Sequence, residues 1–132
     1  MTQEFYGKDL ARYKLERAKE ELDTAELLFN NDRLKAANNR AYYSIYYSLT
    51  AVLCLESIAF KRHKDTIGYF NKNYVHSGVF PKEIGRSIAK AAKVRHASDY
   101  DEFYIAGKEE AARQIQTAKV CIDLVDKFIA GG

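Results

Sequence analysis

Between Gly7 and Phe29 the apolar residues Leu15, Ala18, Leu22, Ala25 and Phe29 recur at alternating steps of three and four, which places them on one face of a helix. Lys14, Glu16, Arg17, Lys19, Glu20 and Glu21 cover the rest of that helix. The run Asn30-Asn31-Asp32 interrupts the pattern and offers an N-cap, so a second helix is expected from about Arg33 to Ile58. This one is apolar on nearly every side. Tyr42, Tyr46, Leu49 and Leu53 form one stripe, Tyr43 and Tyr47 begin another that reaches Cys54, and Ala41, Ile45, Val52 and Leu55 fill a third. A helix written this way belongs at the centre of a bundle or at a subunit interface.

A short third helix is expected around Lys64 to Tyr74, closed by His76-Ser77-Gly78. Phe80-Pro81 then opens a fourth, because Pro suits the first turn of a helix. Its inward face carries Ile84, Ile88, Ala91 and Ala92, up to about Ala97. The last helix, about Ala106 to Ile129, holds Ile115, Ala118, Ile122, Val125 and Ile129 at three-four spacing and is ended by Gly131-Gly132. No segment alternates over strand length, nothing repeats, and no linker divides the chain. The expectation is an all-α bundle of four main helices and one short one, forming a single domain over residues 1–132.

Composition narrows the picture without changing it. A chain of 132 residues has room for one domain, and 30% charged with 47% hydrophobic residues is a globular balance. Two cysteines make no disulfide framework, which points to a reducing compartment. The N-terminal stretch has no apolar core of a signal peptide and no run of eighteen apolar residues occurs, so no membrane partner and a cytoplasmic location are expected.

The net charge of +3 does alter the reading once it is divided by position. Residues 61–96 hold nine Lys and Arg against Asp65 and Glu83, a local +7 that leaves −4 for the remainder, and they include all three histidines. Lys82, Arg86, Lys90 and Lys93 lie at steps of four, four and three, one basic stripe on the fourth helix. Like charges at i,i+4 repel by a few tenths of a kcal/mol each. A phosphate-bearing partner would offset that cost; the alternative is a solvated face balanced by acidic helices elsewhere.

Arg95 breaks the pattern. Counting from Ile84 through Ile88 and Ala91, the next step lands on Arg95, so it continues the apolar stripe and not the basic one. A guanidinium directed inward needs a partner, and Asp99, four residues on, is the nearest. The pair either fixes the helix end or presents Arg95 in a cleft beside Asp99, Tyr100 and Asp101. Asn39 and Arg40 are similarly polar where the second helix turns apolar, and a bracing hydrogen-bond network is their expected structural role.

Other constellations carry less. The histidines and cysteines have no metal-ligand spacing, and Cys54 and Cys121 sit on apolar stripes as core residues. Gly78 and Gly85 are isolated, so there is no glycine-rich phosphate loop and no cofactor is expected; a nucleotide would be held by side chains and helix ends. The tyrosines of the second helix, neighboured by Leu, Ile and Val, are expected in the core and not as a base-stacking platform.

Taken in order, Asn39-Arg40-Ala41-Tyr42-Tyr43 on a long aromatic helix, His63-Lys64 before a short helix with Phe70, a Gly78-to-Lys82 segment with its Pro, and Arg95-x-x-x-Asp99-Tyr100 resemble a small stand-alone HEPN domain (higher eukaryotes and prokaryotes nucleotide-binding). The likeness runs from about Arg12 to Ile129. It implies an up-and-down helical bundle paired as a homodimer, encoded beside a minimal nucleotidyltransferase that acts as antitoxin to its toxin. Active members are metal-independent ribonucleases with a motif of Arg, four to six residues, then His, brought together from two subunits. In some, a Tyr two residues after that His is adenylylated by the partner. Carried over, the Arg is Arg95, and the His position falls on Tyr100, Asp101 or Glu102, none of them His. His96 follows Arg95 directly, and Tyr104 matches the modified Tyr only if Glu102 stands at the His position. A phenol, with an ordinary pKa of about 10, is a poor base at neutral pH.

The candidate catalytic residues are therefore Arg95, Asp99 and Tyr100, with His96 as a weaker acid–base group. Asn39, Arg40, His63, Lys64, Arg86, Lys90 and Lys93 are the candidates for holding RNA or nucleotide. Two functions follow as expectations: an RNA- or nucleotide-binding toxin-type HEPN protein that cleaves RNA without metal, or an inert HEPN module that docks a nucleotidyltransferase and helps bind its nucleotide or substrate.

Overall fold

In the computed structural model the described residues are 3–131, with side chains described from Gly7 onward. Five α-helices appear in the order α1 (Gln3–Asn30), α2 (Leu34–Cys54), α3 (His63–Phe70), α4 (Lys82–Tyr100) and α5 (Lys108–Gly131), and no strand occurs among the described residues. The periodic segments of the sequence are these helices. Gly131 is still helical, and Gly132, expected to help end α5, lies outside the described residues.

Two helix ends depart from expectation for the same reason. Asp32 is not an N-cap; it takes a left-handed backbone (φ 59°) and terminates α1. Arg33 N–H donates to Leu28 O at 2.9 Å and Asp32 N–H to Phe29 O at 3.0 Å, the paired reverse bonds of a Schellman ending. The position before α2 is Arg33, which makes no side-chain cap. At the other end α2 stops at Cys54 and not at Ile58, because Ser57 (φ 59°) repeats the device. There Ile58 N–H reaches Leu53 O at 3.1 Å and Ser57 N–H reaches Cys54 O at 3.0 Å. Short polar residues supply both left-handed positions where glycine is the commoner choice.

The third segment also differs in its second half. After Phe70 the helix widens into a π turn over Asn71–Val75, closed by His76 N–H on Asn71 O at 2.8 Å. The wider turn brings Tyr74 and Val75 inward together. Tyr69 and Tyr74 both donate their hydroxyls to the Glu56 carboxylate, tying the segment to the end of α2. Burial, with Glu56 adding to it, pushes the Tyr74 phenol well up, so it stays protonated as a donor.

α2 packs against α1, α3, α4 and α5, the central position that its all-round apolarity predicts. Ile45, Leu49, Val52 and Leu53 from α2 join Ile88, Val125 and Ile129 in the hydrophobic core, extended by the ring cluster Phe70, Tyr74, Phe80 and Phe128. Small residues let α1 lie close to α2. Ala11 and Ala18 are fully buried, Ser44 Oγ donates to Ala18 O at 2.7 Å, and a Cβ on Gly7 would meet Cys54 O at 2.9 Å. Near the site, one polar crossing joins three helices. Asn38 Nδ2 of α2 donates to Ser98 Oγ of α4 at 3.0 Å, and Gln114 Nε2 of α5 donates to Ala91 O at 2.9 Å and Asn38 O at 3.4 Å. No helix among the described residues is long and apolar enough to cross a membrane.

Candidate functional site

Arg95 sits where the inward stripe of α4 reaches its last turn, one turn past Ala91 and facing the polar start of α2. Its side chain is one-fifth exposed. Nε lies 3.0 Å from Asp99 Oδ2 as an ion pair, without the alignment of a hydrogen bond, and Nη2 donates to Tyr43 Oη at 3.1 Å. The guanidinium carbon stands 5.3 Å, 5.4 Å and 5.7 Å from the ring centres of Tyr42, Tyr43 and Tyr100. A guanidinium held this way is fixed in direction by one carboxylate and three π faces.

Asn39 and Arg40 brace that arrangement, as their position at the start of α2 suggests. Asn39 Nδ2 donates to Asp99 Oδ2 at 2.8 Å, and Asn39 Oδ1 accepts from Arg40 Nε and Nη2 at 2.9 and 2.6 Å. Arg40 Nη1 completes an ion pair with Glu21 Oε2 of α1 at 2.7 Å, and its guanidinium covers the Tyr43 ring at 4.9 Å. Glu21 is the member of the cluster that the sequence does not single out. Its signal is weak: one acid of a Lys-Glu-Glu run beside the stripe residue Leu22.

His63 opens α3 and turns to the same aromatic surface. Its Nδ1 is 2.9 Å from Tyr42 Oη, and its ring stacks on Tyr46 with centres 3.9 Å apart. Tyr43 lies edge-on to it at 5.6 Å, and Tyr46 Oη is held by Thr66 Oγ1 at 3.0 Å. Burial, and then the charge of Arg95, lowers the imidazole pKa below its ordinary value, so the ring is neutral at pH 7. Burial pushes the Tyr42 phenol up to about 12, although Arg95 pulls the other way. The tyrosines thus divide. Tyr42 is buried as expected, whereas Tyr43 and Tyr46 are half-buried; Tyr42 and Tyr43 border both His63 and Arg95, and Tyr46 stacks on His63.

Of the remaining predicted residues, only Tyr100 reaches this cluster, through its ring beside Arg95. Tyr100 is 65% exposed, its ring 4.9 Å from that of His96, which is exposed as well. Lys64 is exposed one residue beyond His63. Lys82, Arg86, Lys90 and Lys93 are all exposed along α4 and form no ion pair with a described residue. Shallow recesses flank the stripe, one beside Lys90 with Glu110 and Arg113, another beside Lys93 with His96 and Asp101. Tyr104 turns its hydroxyl inward with no hydrogen-bond partner.

The family model for the HEPN domain matches residues 11–128. The chain belongs to the HEPN family. A "UPF0332 protein" of Thermotoga maritima is 32% identical to it over 91% of each chain. Two proteins of Methanocaldococcus jannaschii are also similar: "Putative toxin MJ0605", 33% identical over 87% of this chain and 85% of its own, and "Putative toxin MJ0142", 27% identical over 94% and 84%. The HEPN match extends over every residue of the Arg95 cluster, from Glu21 to Tyr100. Both the helical fold and membership of the HEPN family are thereby established for the chain.

Proposed function

We propose that this HEPN protein is a toxin-type, metal-independent ribonuclease of the cytoplasm, acting as a homodimer and folded as one domain over residues 1–132. The basic 61–96 region, with Lys64, Arg86, Lys90 and Lys93 outermost, gathers RNA through its phosphates. Arg95 is the group that meets the reacting phosphate. In the chemistry, the ribose 2′-oxygen attacks phosphorus and Arg95 stabilises the charge that builds on the phosphorane oxygens. Asp99, Asn39 and Tyr43 hold the guanidinium in one direction, so little reorganisation is needed at the transition state. The observation that carries this reading is the fixing of Arg95 by Asp99 and Tyr43 in a partly open site, one helix face away from a row of unpaired cations.

The test is purified protein incubated with total RNA and EDTA. Wild type yields fragments ending in 2′,3′-cyclic phosphate, and Arg95→Ala lowers the rate by about 100-fold or more while dimer and fold persist. Equal cleavage by the variant would remove Arg95 from the chemistry.

A second reading has its own support: none of Tyr100, Asp101 and Glu102, where the ribonuclease motif would place its His, is His, and Arg95 already has an ion-pair partner. Here the domain is inert and docks a partner nucleotidyltransferase, helping to bind its nucleotide or substrate. Growth arrest on expression of the protein alone separates the two, since the inert module would cause none.

A further inference from the structure

We infer that His63 is the acid–base residue of the Arg95 site, taking the 2′-hydroxyl proton of bound RNA on Nε2, and that Tyr42 is its positioning residue. This rests on the ribonuclease reading above and supplies what that reading lacks, since Arg95 has no proton to exchange near neutral pH and no His stands at 100–102, where the motif would place it.

The geometry is the argument. His63 and Arg95 come from different helices, yet both lie against the same two rings: Tyr42, 5.7 Å from the imidazole centre and 5.3 Å from the guanidinium carbon, and Tyr43, 5.6 and 5.4 Å from them. Nδ1 is engaged by Tyr42 Oη and one ring face by Tyr46, so only Nε2 is left to a ligand. The tautomer with its proton on Nδ1, donating to Tyr42 Oη, presents the Nε2 lone pair as a base. A phenol that keeps its proton can accept from Nδ1–H in both the neutral ring and the imidazolium, so the hydrogen bond survives the proton transfer.

The step balances within RNA and water. The 2′-oxygen forms a bond to phosphorus and its proton passes to Nε2. The bond from phosphorus to the 5′-oxygen breaks, that oxygen takes a proton from water, and the imidazolium returns its proton to solvent. The products are a 2′,3′-cyclic phosphate and a 5′-hydroxyl. The groups facing His63 are Tyr42, Tyr43 and Tyr46 from α2 and Arg95 with its paired Asp99 from α4. On its own helix Asp65 is paired with Arg62 at 3.0 Å. Beside it in the chain Lys61 and Lys64 are exposed to solvent and form no ion pair with a described residue. Burial first, and then the charge of Arg95, favours the neutral ring, and lowering pH through its pKa removes the base.

Three measurements decide it: RNA cleavage against pH, RNA affinity by fluorescence anisotropy, and the His63 ring resonance against pH by NMR. Wild-type cleavage should show an acid limb below pH ~6.5 whose midpoint coincides with the NMR titration of His63. His63→Gln, which keeps a polar side chain but no base, should cleave about 100-fold or more slowly, lose that limb, and bind RNA within about twofold. Tyr42→Phe should shift the limb to lower pH with KM unchanged, because the imidazolium loses its acceptor. Cleavage by His63→Gln with the limb intact overturns the inference alone, as does an NMR midpoint away from the kinetic one, a comparison that needs no variant to fold. If wild type cleaves no RNA at any pH, the ribonuclease reading falls and this inference with it.

Discussion

The two faces of α4 carry cations in opposite ways. On the outward face Lys82, Arg86, Lys90 and Lys93 stand in water, unpaired with any described residue. On the inward face Arg95 is mostly covered, paired with Asp99, bonded to Tyr43 and bordered by three rings. Counting charges makes both faces look alike; surroundings separate them. Exposed, unpaired lysines act at long range and are screened by salt, and they contribute little to the fold. A directed guanidinium acts only on what touches it and is part of the packing. In the ribonuclease we propose, one helix would thus divide the tasks of attracting a polyanion and of gripping one phosphate.

Three variants bear on that contrast beyond the activity tests given above. The largest effect on stability is expected at Asn38, fully buried where α2 meets α4 and α5. Asn38→Ala leaves Ser98 without its donor and opens a small cavity, and should cost about 2 kcal/mol by urea denaturation. A loss within 0.5 kcal/mol, the size of an ordinary surface change, would show that the inward face is not set by this crossing. Arg95→Ala comes next, at about 1 kcal/mol. It loses less than a fully buried pair would, because a fifth of Arg95 and a quarter of the Asp99 side chain reach water. Lys90→Ala with Lys93→Ala should leave the denaturation midpoint where it is. Instead it should flatten the log–log salt dependence of RNA binding by about 1.5 to 2, roughly 0.7–0.9 for each phosphate that is no longer neutralised. An unchanged salt slope would mean that the outward face takes no part in binding.

Much of this organisation is legible in the chain before any coordinates. Three-four spacing locates α1, α4 and α5, and the all-round apolarity of α2 puts it at the centre. The count that places Arg95 on the inward stripe also names Asp99 as its partner, since both residues lie on one helix. What periodicity cannot supply is which face meets which. The approach of His63 to Tyr42 spans 21 residues and a non-helical connection, and Asn38 to Ser98 spans 60. Neither pairing leaves a spacing signature. The helix ends misread at Asp32 and Ser57 have a different cause. Asp and Ser serve both as N-caps and as left-handed terminators, and only the backbone that follows decides between them.

The Asn39 amide touches both signs of charge, donating to Asp99 while accepting from Arg40. Around it stand two guanidiniums and two carboxylates, Arg40 with Glu21 and Arg95 with Asp99. These four groups are therefore electrically closed among themselves. In the ribonuclease we propose, a phosphate on Arg95 would meet a guanidinium whose charge Asp99 already balances. It would be held by the direction and number of its hydrogen bonds more than by net charge.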